Sequence, residues 1–139
     1  MLSNTLNTNE VKNSAGTEVE FQSLAIQGRT HEFAQINETF SLPHRLTVKH
    51  REVGVGIKTQ RQSAVQITKT VISPVDNITP VVIRATLSLS VPVGALNTAT
   101  ETKNVLAELL SFCATTGAAT TVLFDCSGNG ADALINGGI

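Results

Sequence analysis

From His44 to Glu52 the chain reads HRLTVKHRE. Odd positions give Arg45, Thr47, Lys49 and Arg51; even positions give His44, Leu46, Val48, His50 and Glu52. Side chains of an extended strand alternate between two faces, so one face carries a line of cations with a hydroxyl among them. That line suits a polyanion. Cations neutralise phosphates, and Thr or Ser hydroxyls hydrogen-bond phosphate or 2′-OH groups. Two later stretches divide in the same way: Gln66, Thr68 and Thr70 stand against Val65, Ile67, Lys69 and Val71, and Arg84, Thr86, Ser88 and Ser90 stand against Ile83, Ala85, Leu87, Leu89 and Val91. Neighbouring strands would combine these rows into one hydroxyl-rich, positive surface. A solvated sheet face is the plainer explanation, but solvated faces mix signs, and these rows hold almost no acid.

The overall charge of −1 hides this asymmetry. Residues 1–43 carry two basic and five acidic side chains, residues 44–84 seven and two, and residues 85–139 one and four. A basic middle between acidic ends points to a polyanionic partner. Other chemistry is poorly served. His44 and His50 share a strand face about 20 Å apart, too far to hold one metal ion. Cys113 falls on an apolar helical stripe, and Cys126 lies in a loop-like context where it could cross-link subunits. Asp125, Asp132 and the glutamates form no paired-carboxylate arrangement, and "GNG" (128–130) is too short for a phosphate loop. No enzyme, metal or cofactor is expected. No apolar run reaches the ~18 residues of a membrane span, and the N-terminal stretch lacks the features of a secretory signal. With no Trp, no Tyr and five Phe, stacking of bases on aromatic rings is nearly excluded.

The elements that would position the basic rows are mostly strands. Residues 1–22 read as a hairpin turning at "KNSAG" (12–16), and "QGRT" (27–30) reads as a further turn. Pro43 opens the strand HRLTVKHRE, "VGVGIKTQ" (53–60) makes a turn or bulged strand end, and "PVDNITP" (74–80) is a proline-bracketed loop. After Pro92 the period changes. Thr98 and Glu101 form a capping box, Val105, Leu106, Leu109, Leu110 and Cys113 recur at helical spacing, and Gly117 offers a stop. A helix over 100–115 follows. "TTVLFDC" (120–126) is ambiguous between strand and helix start, and "GADALI" (130–135) fits a last helical turn. The fold class is α+β: five or six antiparallel strands, then one or two helices.

One helix about 10 Å across cannot cover the apolar side of such a sheet, whose strands lie about 4.8 Å apart. The economical solution is a symmetric dimer in which sheet edges pair and helices cross over to the partner's sheet. A monomeric β-sandwich using the N-terminal strands as a second layer is the simpler alternative.

"RLTVKHRE", and "RATLSLSVP" followed by a polar loop and "TETKNVLAELL", resemble the RNA-facing strand, the last strand and the long helix of coat proteins of single-stranded RNA bacteriophages, the leviviruses. The resemblance runs from about residue 17 to the "NGGI" end. It implies a single coat domain over 1–139: a hairpin (1–22), a five-stranded main sheet (30–92) and a helical dimerisation segment (98–139) that interlocks with a second subunit. It further implies a quasi-equivalent icosahedral shell (T=3) in a virion assembled in the bacterial cytoplasm. The sheet would face the single-stranded viral RNA, and one RNA hairpin would be bound to repress translation. No membrane partner is expected. Carried over, the RNA-facing residues are Arg45, Thr47, Lys49, Arg51, Thr68, Thr70, Arg84 and Thr86. Val75, Asp76, Asn77, Ile78 and Thr79 fall in the loop that contacts neighbouring dimers. Val105, Leu106, Leu109 and Leu110 pack the dimer helices. Thr70 stands where the family often has Lys, and Arg84 where it commonly has an aromatic ring, so ring-on-base stacking cannot be copied. An Arg guanidinium could stack on a base or hold a phosphate there. Two other classes compete: a β-sandwich adhesion or filament module, and a cellular RNA-binding dimer without a shell.

Overall fold

The computed structural model describes residues 2–94, 99–114 and 124–137. Six strands form one antiparallel sheet in chain order. They are β1 (Thr5–Leu6), β2 (Phe21–Gln27), β3 (Thr30–Gln35), β4 (His44–Val53), β5 (Gln60–Ile72) and β6 (Pro80–Pro92). Two helices follow, α1 (Ala99–Ala114) and α2 (Asn129–Asn136). The chain divides into two compact units, one of Met1–Glu10 with Val19–Asn97 and one of Val11–Glu18 with Thr98–Ile139.

In the first unit the alternation of each strand becomes a two-faced sheet through its register. Leu46 lies opposite Phe33 on one side and Ile67 on the other, and Ile67 in turn opposes Ala85. The apolar rows therefore share a face. Phe21 and Phe33 are fully buried there, with Leu6, Leu46 and Val48 nearly so. The His44 ring meets Phe21 edge-on at 5.1 Å, and His31 stacks on Phe33 at 3.9 Å. Burial holds the His44 imidazole below its ordinary pKa, and Lys69 across the strand pair adds to the effect. Toward the first half of β6 the same face is bare: Ile83 is 59% exposed and Val81 43%. The two long strands are joined to their neighbours by turns that need special backbone. Gly54, after β4, has φ of 102°, and a Cβ there would sit 2.8 Å from the Lys58 carbonyl oxygen. A 3-10 turn over Gly56–Lys58 completes that connection.

Several expectations change at this level. Strand β2 belongs to the main sheet, so the sheet begins before residue 30, and the two-residue β1 adds a sixth strand at its edge. The N-terminal segment does not supply a second β layer: all strands among the described residues lie in one sheet. A sandwich is not what forms.

In the second unit, α1 matches the helix expected over 100–115 to within a residue. Its expected cap at Thr98 and stop at Gly117 lie outside the described residues. The stripe read for helix packing is largely uncovered, with Val105 55%, Leu109 45% and Leu110 46% exposed and Leu106 half-buried. The single turn expected at "GADALI" is a two-turn helix, ending on Gly137 in the left-handed region. Of "TTVLFDC", residues 120–123 lie outside the described residues, and 124–126 form bends rather than a strand. α2 approaches α1 through Gly130, where a Cβ would lie 2.0 Å from the Phe112 carbonyl oxygen. Gly130→Ala is expected to push the helices apart and cost about 1–3 kcal/mol, read as faster amide exchange in α2.

Candidate nucleic-acid interface

The face opposite the aromatic core is built from cross-strand rows. Ala34, Arg45, Thr68 and Arg84 lie in one row; Glu32, Thr47, Gln66 and Thr86 in the next; then Thr30, Lys49, Ala64 and Ser88; then Arg51, Gln62 and Ser90. Thr70 faces Val82 on the same side. All eight residues singled out from the sequence therefore share one face. The register, rather than the alternation alone, brings them together.

The cations on this face are not equivalent. Lys49 and Arg84 are exposed, and among the described residues neither side chain makes a hydrogen bond or ion pair. Arg51 donates through Nε to the neutral Gln62 Oε1 at 2.7 Å. Arg45 is already occupied. Its Nη2 lies 2.6 Å from Glu38 Oε1 and its Nε donates to Glu38 Oε2 at 3.0 Å, while Glu32 stands 3.8 Å from Nη1. The expectation of a face almost free of acid is thus corrected at its β3 border. The remaining basic residues of the middle segment sit elsewhere. Lys69 and Arg61 lie in the rows of the apolar face, where Arg61 and Arg29 both contact Glu52 Oε1 at 3.2 Å. Those contacts hold the Glu52 carboxyl below its ordinary pKa, the hydrogen bond from Arg29 most of all.

A hollow of about 680 Å³ opens at the Lys49 end, lined in part by Thr30, Lys49, Arg51, Gln62, Ala64 and Ser88. The small Ala64 between Lys49 and Ser88 leaves room between longer side chains. Gln62, Gln66, Ser88 and Ser90 belong to this surface but were not among the carried-over residues. Their position in the alternation was a sufficient signal. Glu38 had none, because it reaches the face from the β3–β4 connection.

Solved structures share this architecture. The coat protein of bacteriophage EMS014 superposes with a TM-score of 0.65 at 16% identity, over 86% of each chain. A virus-like particle of bacteriophage AVE019 gives 0.64 at 13% identity over 93% of each chain. The capsid protein of bacteriophage GA gives 0.56 at 19% identity, over 96% of this chain and 93% of that one. The chain has the levivirus coat protein fold. No family model and no curated protein sequence matches it.

In this levivirus coat fold the β5–β6 loop is a self-bonded turn. Asp76 accepts from the Thr79 hydroxyl, and its Oδ1 accepts from the Ile78 and Thr79 N–H groups at 3.0 Å each. These bonds, the hydroxyl first, hold its carboxyl down to about 2. Val75 and Ile78 project from the turn, 91% and 79% exposed. A carboxyl whose pKa is lowered by folding stabilises the fold above its unfolded value and loses that contribution as pH falls through the folded one. The turn is therefore expected to loosen between about pH 4 and about pH 2. The Ile78 and Thr79 amide resonances should titrate together in that window, and Asp76→Asn should abolish the titration.

Proposed function

We propose that the chain is a non-enzymatic coat protein that dimerises, closes into an icosahedral shell and holds single-stranded viral RNA against its basic sheet face. The observation that carries this reading is the register. It gathers Lys49, Arg51, Arg84 and the hydroxyls of Thr47, Thr68, Thr70 and Thr86 on one face. Phosphates would meet Lys49, Arg51 and Arg84; hydroxyls and glutamines would meet phosphate oxygens and 2′-OH groups. Arg45, tied to Glu38, borders that track. The bare apolar residues support a dimer. β6 is the last strand in the order and thirteen residues long, so a second copy of β6 can extend the sheet. The exposed Val105, Leu109 and Leu110 of α1, with Leu106, supply an apolar stripe for the partner. The loop residues Val75, Asp76, Asn77, Ile78 and Thr79 would meet neighbouring dimers in a T=3 shell. On this reading the protein is assembled in the bacterial cytoplasm, resides in the virion, and represses translation by binding one RNA hairpin.

Size-exclusion chromatography with light scattering tests it. Megadalton particles with a nucleic-acid absorbance ratio are expected. A small RNA-free species overturns the proposal, and a small RNA-bound dimer leaves RNA binding without a shell.

A further inference from the structure

We propose that Glu38, backed by Glu32, fences one flank of the RNA face by occupying Arg45, so that Glu38 and Arg45 act as positioning residues for the bound strand. The inference rests on the RNA-facing reading of the sheet and divides its cations into two kinds.

Glu38 is a charged residue whose side chain is only 16% exposed. One of its oxygens meets Arg45 Nη2 at 2.6 Å. The other accepts from Arg45 Nε at 3.0 Å and from the His44 N–H at 2.9 Å. A guanidinium fork filled by two carboxylate oxygens is the geometry it would otherwise offer a phosphate. Glu32, opposite Thr47 on β3, stands 3.8 Å from the remaining Nη1. Every nitrogen of Arg45 thus faces a carboxylate, and the three side chains together carry a net negative charge.

Arg84 shares the row of Arg45, beyond Thr68, and is free, as is Lys49. The face is therefore acidic-bordered at β3 and positive toward β6. A phosphate that took Arg45 would have to expel a half-buried carboxylate and strip the His44 N–H of its acceptor. A phosphate at Lys49 or Arg84 displaces nothing but water. The fence confines a polyanion to the β4–β6 part of the sheet and ties the β3–β4 connection to the first residues of β4.

The test is equilibrium binding of a single-stranded oligouridylate of about 20 nucleotides to the full chain over a salt series. Lys49→Ala should lose about tenfold in affinity, whereas Arg45→Gln should change it less than about twofold. Glu38→Gln should raise affinity about fivefold and steepen the logarithmic salt slope by about 0.7, one added phosphate contact on a single strand. Because Glu38 also holds the His44 N–H, Glu32→Gln is a second variant that disturbs no backbone bond; it should raise affinity about twofold. The double variant Glu38→Gln with Arg45→Gln should return the slope to that of the parent, which a merely structural Glu38 would not do. The fence falls if Arg45→Gln weakens binding as much as Lys49→Ala, or if both Glu variants leave the slope unchanged while Lys49→Ala weakens binding. If Lys49→Ala itself has no effect, the RNA-facing reading falls with it.

Discussion

Removing the two unpaired cations of the basic sheet face, Lys49→Ala with Arg84→Ala, is expected to cut affinity for single-stranded RNA about a hundredfold, because each charged contact is worth about a factor of ten. Both side chains are exposed, and among the described residues neither is bonded to another group, so the fold has nothing to lose with them. The salt slope should flatten by about 0.7 for each lost phosphate contact. If a second copy pairs along β6, Arg84 and its counterpart lie near the shared edge, and the double variant removes four charges from one continuous surface. Purified particles should show a reduced nucleic-acid absorbance ratio with unchanged thermal unfolding of the protein. Unchanged RNA content together with unchanged affinity would show that this face does not look at the genome.

Truncating the core at Phe33→Ala is expected to cost about 3–5 kcal/mol. Phe33 is fully buried, faces Ser23 and Leu46 across the neighbouring strands and carries the stacked His31 ring. A loss of that size is a large share of the ~5–15 kcal/mol that holds an ordinary domain folded. The chain has five phenylalanines, and only Phe21 and Phe33 are fully buried. Little else large is present to fill the void. Denaturant unfolding should show the lower midpoint, and soluble assembled particles should be lost. Phe40→Ala is the control. Its side chain is fully exposed in the β3–β4 connection, so the change should stay within about 0.5 kcal/mol.

Much of the fold is written in local periodicity. β4, β5 and β6 each alternate every second residue, and α1 repeats its apolar residues at helical spacing, so a short window suffices to recognise them. The turn chemistry is equally local: Gly54 and the Asp76 turn announce the ends of strands. β1 and β2 were less legible. β1 is only two residues long, and β2 carries an irregularity between Ser23 and Ala25 that interrupts its alternation.

The candidate site divides in the same way. Alternation within β4, β5 and β6 determined which side chains of each strand lie together, Gln66, Ser88 and Ser90 among them. It could not determine the offset between strands, and a slip of one residue would have turned a whole row to the other face. Only the register of the folded sheet set Arg45 beside Thr68 and Arg84, and Lys49 beside Ala64 and Ser88. The sequence by itself thus determined an amphipathic antiparallel sheet with a basic, hydroxylated side, followed by a helix with an apolar stripe. The tertiary structure alone decided which of the cations are free. Arg45 and Lys49 are both cations and lie four residues apart on one strand, yet a carboxylate delivered by a loop neutralises the first and leaves the second open. Periodicity is a property of the backbone and repeats wherever the chain is extended, whereas an ion pair depends on where two distant side chains meet.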